Sequence, residues 1–219
     1  MTGYVLRRVL LVVPSLALVL VIVFSAMRLF PGDVVSLMVS DLSYAPDVEA
    51  MRAQLGLDGP LHIQFGRWVA QLVTGDLGTS LWTKQPVIKE ISSSIPVTLE
   101  LGLLAFVLAI AVGVPIGVLA AVRQDTPLDY AMRSAAIMAT AVPNFWLGIL
   151  IIVFGSTWWG WSPPIPFVHF ARDPATNLVQ FLVPAAVLAV RPMGGIMRMT
   201  RSMMLEVLRQ DYIRTAWAK

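Results

Sequence analysis

The chain has no cysteine, which excludes disulfides, thiolate metal ligands and a cysteine nucleophile and leaves its redox compartment open. Histidine is nearly as scarce: two lone residues, His62 and His169, cannot build a metal site by themselves. Charge is thin as well, with 16 Lys and Arg and 13 Asp and Glu in 219 residues, a net of +3. The basic residues stand singly rather than in runs, which argues against a nucleic-acid footprint. No HExxH, GxSxG, GxGxxG or GxxxxGKS/T motif occurs, and the acidic residues outside 31–95 are too dispersed to nominate a catalytic pair. An intramembrane enzyme is therefore a poor fit. A chain of this kind that moved anything uphill would draw its energy from a partner that binds nucleotide.

What the chain has in abundance is apolar length. It is 57% hydrophobic with a mean hydropathy of +0.75, far from the soluble balance. The expectation is an all-α polytopic membrane protein with four spans. Val9 to Phe30 is long enough to cross the hydrocarbon and too long for a signal peptide. Arg7 and Arg8 precede it and predict a cytoplasmic N-terminus, with Arg28 snorkelling at the outer end. Residues 31–95 carry seven acidic and four basic side chains, which suits an extracytoplasmic helical cap. Within it, Asp47 to Leu55 reads as one short helix. Leu61, Phe65, Trp68 and Leu72 form the stripe of another that ends at Gly75. GDLGTS, Gly75 to Ser80, lacks the lysine of a phosphate loop and reads as turn chemistry.

Residues 96–219 form the expected membrane-spanning core. A second span runs from about Val97 to Val122, with Pro96 near its start. Glu100, one turn in, either answers the helix dipole or lines a polar path. Gly113 and Gly117 are spaced as GxxxG for close approach of a neighbour, with Pro115 between them as a kink. A third span, about Ala131 to Thr157, is interrupted at Pro143 and Asn144. Asn144 either answers a carbonyl freed by the proline or faces a pathway. Trp158, Trp159 and Trp161 suggest an aromatic belt. A fourth span, about Leu178 to Met197, holds Arg191 in its inner half. That charge should reach a wet vestibule, and Pro192, Gly194 and Gly195 should loosen the helix after it. From Arg198 to Lys219 the pattern becomes a cytoplasmic amphipathic helix with Leu205, Leu208, Tyr212 and Ala216 on one side and Arg201, Arg209 and Arg214 on the others. No Gly, Asn or Pro stop signal follows it.

The chain resembles the permease subunits of binding-protein-dependent ABC importers, in particular the dipeptide and oligopeptide group. The motifs are PGD at Pro31, QLGLD at Gln54, GDLGTS, TLELG at Thr98, VPNFWLG at Val142 and, most specifically, RMTRSMMLEVLRQDYIRTAWAK from Arg198. Arg191 and Trp217 depart from the family's usual apolar residue and Arg. The resemblance implies the type I importer fold and a coupling loop that docks on an ATPase. Leu208, Asp211, Tyr212, Arg214, Thr215, Ala216 and Lys219 would take part, with Arg214, Thr215 and Ala216 at the EAA positions. It also implies that a glycine and two further spans would follow, so that this chain is the N-terminal four-span portion.

The function so implied is peptide import across the bacterial cytoplasmic membrane by alternating access. The partners would be a second permease, two ATPase subunits that hold ATP and Mg, an extracytoplasmic binding protein and the lipid bilayer. No cofactor or metal would sit on this chain. Glu100, Asn144 and Arg191 are the candidate path residues. Two other readings stay open: a different cargo such as nickel or another small solute, and a non-transporting truncated or scaffold subunit.

Overall fold

The computed structural model describes residues 2–29, 59–80, 82–164 and 167–218. Among them all regular structure is helical apart from an isolated bridge between Thr79 and Pro86. The described helices are α1 Thr2–Leu29, α2 Leu61–Val73, α3 Val87–Val122, α4 Pro127–Ala141, α5 Asn144–Trp159, α6 Pro174–Leu208 and α7 Asp211–Ala218. The chain divides into two compact units, Met1–Glu90 and Ile91–Lys219.

In the first unit, α1 has 28 residues, about 42 Å at 1.5 Å per residue, ample for a span. Its apolar side chains, among them Leu11, Val13 and Ile22, are exposed, as a helix facing hydrocarbon requires. Pro14 lies inside it, and the Ser15 hydroxyl donates to the Leu11 carbonyl one turn back at 3.1 Å. At the other end Phe24 is buried against Phe65 and Trp68 of α2, with ring centroids 5.2 and 5.8 Å away. Arg28 finds a protein partner instead of relying on headgroups: it donates to Gln64 Oε1 at 3.0 Å, and its guanidinium lies over the Phe24 ring. The α2 stripe takes shape with Phe65, Trp68 and Leu72 half-buried, although Leu61 is exposed. The helix closes at Thr74, and Gly75 follows at φ 81°. GDLGTS is a turn: Gly78 has φ 73° and donates its N–H to the Asp76 carboxylate at 2.9 Å. The helix expected over Asp47 to Leu55 lies outside the described residues.

In the second unit small residues decide the packing. Ala105 and Ala109 of α3 share a dry cluster with Ala185 and Ala189 of α6. Further along, a Cβ added at Gly113 would stand 3.0 Å from the Met193 carbonyl oxygen, and one at Gly117 would stand 2.7 Å from that of Met197. The GxxxG expectation is thus met, and its partner is α6. Residues 113 and 117 opposite 193 and 197 mean that α3 and α6 run parallel in one register. Gly194 belongs to a second contact, where a Cβ would meet the Ala136 carbonyl of α4 at 2.6 Å. Backbones meet this closely because lipid gives apolar helices no hydrophobic reason to associate, so van der Waals contact must do so.

Several expectations are corrected. First, α3 begins at Val87, so Pro96 is internal and the first-turn acid is Glu90, which accepts from the Thr83 hydroxyl. Glu100 lies too far in for the dipole to account for it. The third span is interrupted where expected, and the break is sharp: α4 and α5 meet at 98° across Val142 and Pro143. Proline disfavours a helical residue before it and brings no N–H, and Val142 sits at φ −77°, ψ 127°. Among the described residues three helices are thus long and apolar enough to cross a membrane, or up to four spans if the bent pair is one. α6 runs unbroken to Leu208 despite Pro184 and Pro192. Gly194 in it serves close packing rather than loosening. Finally, the expected single helix from Arg198 is two, since α6 stops at Leu208 and α7 starts at Asp211.

Gly117→Ala should therefore lower stability in detergent by about 1–3 kcal/mol by forcing α3 off α6. Gly102→Ala, with nothing within 4 Å of the added carbon, should not. Equal thermal midpoints for the two variants would contradict the packing described.

Candidate translocation and coupling sites

The first site forms where α6 begins. Asp173 caps the helix: its carboxylate accepts from the Ala175 and Thr176 N–H groups at 3.1 and 3.2 Å and from the Thr176 hydroxyl at 2.6 Å. The Thr176 hydroxyl, helped by these N–H groups, holds the Asp173 carboxyl below the usual carboxylate range. One turn on, Asn177 is fully buried and donates to the Val168 carbonyl at 2.9 Å, while Gln180 Oε1 accepts from the Val168 N–H at 3.0 Å. Both side chains tie the preceding segment to α6.

Near this level three acceptor oxygens are buried with no hydrogen-bond partner among the described residues: Glu100 Oε1, Asn144 Oδ1 and Asn177 Oδ1. The parallel register that sets Gly113 against Met193 carries Glu100 to the level of Gln180. Asn144 and Gln180 line a cavity of about 460 Å³ with Leu101, Phe145, Trp161 and Pro184. Trp161 is seated there because Gly155 has no side chain to exclude it; a Cβ would stand 2.9 Å from its ring. Trp158 and Trp159, by contrast, are exposed. Glu100 and Asn144 therefore share a chemical condition, a buried acceptor oxygen with no hydrogen-bond partner among the described residues, that favours an incoming donor. Arg191 does not join them. It is exposed and lies eleven residues past Gln180, about 16 Å along the helix axis.

The second site lies at the opposite end of the same bundle. Asp129, in the first turn of α4, is completely buried. It receives Arg201 of α6 through two parallel bonds, Nε to Oδ1 at 2.7 Å and Nη2 to Oδ2 at 2.6 Å. The Asp125 N–H adds a third donor at 3.1 Å. Asp125 holds φ 60°, an uncommon conformation for a residue with a Cβ. Thr126 caps α4, accepting from the Asp129 N–H and donating to the Arg123 carbonyl at 2.6 Å. One carboxylate thus fastens the α3–α4 turn, the start of α4 and the exit of α6.

Beyond Arg201 only Met204, Leu205 and Leu208 of α6 and Ile213 of α7 are half-buried among the described residues. Arg201, Ser202, Leu205, Glu206 and Arg209 line an open groove of about 420 Å³. Leu208 is half-buried at the end of α6, whereas Tyr212 is exposed on α7. The proposed shared apolar face of Leu208 and Tyr212 is therefore interrupted by the turn at Arg209 and Gln210. Asp211, Arg214, Thr215 and Ala216 are exposed. Arg214 and Asp211 approach to 3.9 Å, a surface pair of little energetic weight. Thr215 donates to the Asp211 carbonyl at 2.9 Å. Lys219 lies outside the described residues.

Asp129, Arg201 and Asn177 are functional candidates that the sequence alone did not reveal. Thr126 to Asp129 has the spacing of a helix-capping box, but the Asp129 carboxylate takes the Asp125 N–H rather than that of Thr126, and nothing in the spacing points to its partner 72 positions away. Asn177 sits just inside a proline-led helix start and reads as a terminal polar residue.

Helices long and apolar enough to cross a membrane, with buried polar oxygens between them, are those of a membrane-embedded component. The chain belongs to the binding-protein-dependent transport system inner membrane components, whose family model matches residues 113–219, with the model of the N-terminal region matching residues 1–102. It is 42% identical over 219 residues to a putative peptide transport system permease protein of Brucella suis, covering all of this chain and 70% of that one. It is 36% identical to the oligopeptide transport system permease protein AppB of Bacillus subtilis, with the same coverage. To the dipeptide transport system permease protein DppB of Escherichia coli it is 35% identical over 243 residues, all of this chain and 72% of that one. Permeases of this family are transport components rather than catalysts.

If the Glu100 oxygen has no structural partner, Glu100→Met should leave the thermal midpoint unchanged or raise stability by up to about 1–3 kcal/mol, because a buried acceptor without a donor is removed. A clear fall would mean that the carboxylate is structurally satisfied.

Proposed function

We propose that this chain is the permease subunit of an ATP-driven importer of short peptides. The observation that carries the cargo is the likeness, over the whole chain, to permeases named for peptide, oligopeptide and dipeptide transport. Supporting it is the layer of unmet acceptors at Glu100 and Asn144 beside a 460 Å³ cavity, since peptides bring ammonium and amide N–H donors. In this reading a binding protein delivers the peptide at the α6 N-terminal end, and Glu100 and Asn144 meet it on the way through. Two ATPase subunits holding ATP and Mg act at the other end, and a second permease completes the passage. Their differential affinity for inward and outward forms drives alternation. The N-terminus lies in the cytoplasm. Supporting that orientation are Arg7 and Arg8 ahead of the first span, the charge bias expected of a cytoplasmic flank.

Membrane vesicles carrying the assembled importer should take up labelled dialanine or trialanine only when supplied with ATP. ATP-dependent uptake of nickel without peptide uptake would replace the cargo, and no ATP-dependent uptake of either would favour a scaffold role.

Tyr212, exposed on α7, is the apolar group offered to an ATPase subunit. Tyr212→Asp should weaken co-purification of the ATPase by about tenfold, on the scale of a lost aromatic anchor. Undiminished co-purification would remove α7 from the docking surface.

A further inference from the structure

The exit of α6 is held by one buried ion pair, and what that pair fastens has a mechanical consequence. Ahead of it Gly113, Gly117 and Gly194 press α3 and α4 onto α6 at backbone contact distance. Met197, 2% exposed, closes the last apolar layer with Ala120 and Ala136. Arg201 comes one turn later, bound by Asp129 through both oxygens. After it no described contact of this kind restrains the last two turns of α6, and α7 starts ten residues on.

We propose that Asp129 and Arg201 are the positioning pair that makes the coupling segment and the α3–α4–α6 bundle move as one body. Without the pair, a push on α7 would splay the free end of α6. With it, the push is carried to Asp129, and through the Asp125 N–H and the Thr126 cap to the α3–α4 turn. The chemistry suits the task. A guanidinium–carboxylate fork fixes orientation as well as distance, and a pair with the carboxylate fully buried resists the water that would loosen a surface pair. Neither residue touches cargo or nucleotide in this scheme; both act through α7. The inference rests on the importer reading above.

The test is the assembled importer in proteoliposomes with Asp129→Asn, Arg201→Lys and the exchanged pair Asp129→Arg with Arg201→Asp. The readouts are dialanine uptake, ATP hydrolysis and subunit co-purification. We expect both single variants to assemble and hydrolyse ATP while peptide carried per ATP falls about tenfold, the scale of a lost coupling contact. The exchanged pair should recover part of that ratio. An unchanged ratio in both singles overturns the proposal. So does loss of assembly in both, which would make the pair a folding element alone. Failure of the importer reading is distinguishable, because it shows as absent ATP-dependent uptake in the unaltered complex.

Discussion

The second unit depends on backbone contact between α3, α4 and α6. In water such helices would be pressed together by the apolar area they remove from solvent; in lipid that drive vanishes, and contact must be close to hold at all. Glycine and alanine at 105, 109, 113, 117, 136, 185, 189 and 194 meet the requirement by removing the side chains that would hold the backbones apart. The parallel register of α3 and α6 follows from it, and with that register the level of Glu100 against Gln180. A shift of one turn would move Glu100 away from the level of Gln180 and Arg201 away from Asp129.

The elements most legible in the sequence were those written by local chemistry. The apolar runs gave the spans, Gly75 gave the end of α2, and the GxxxG spacing gave a contact face. The bend between α4 and α5 was legible as a proline interruption, but its size was not. A proline removes a hydrogen bond and restricts the preceding residue, whereas the angle of 98° is set by what α5 packs against, and α5 packs on α6. The same limit explains α6 and α7. Their shared apolar period suggested one helix, yet the chain turns at Arg209 and Gln210, and nothing in a period of three and four marks a break of that kind.

Glu100 and Asp129 show where local reading fails in opposite directions. Glu100 had a ready explanation in a helix start that turns out to be ten residues earlier, so the dipole does not account for it. Asp129 reads in the sequence as no more than an acid in a helix's first turn, and that spacing gives no hint of the tie to Arg201. Long-range pairing leaves no trace in spacing, and a single chain without its relatives' variation offers no other signal for it.

The two polar layers also differ in how completely they are satisfied, and the difference has a physical reading. At the α6 exit, Asp129 accepts three bonds and a fork closes on it. At the level of the α6 start, Glu100, Asn144 and Asn177 each keep an oxygen without a donor among the described residues. Buried polar groups fully paired make a structure rigid, while unmet ones carry a standing cost that a native fold keeps only where it is offset. A component that must hold firm where force enters and receive a ligand where cargo enters would distribute its hydrogen bonds in this way. In the proposed importer, the unmet acceptors would be satisfied in passing by the donors of the peptide, and the filled ones at the exit would keep the bundle from yielding while that happens.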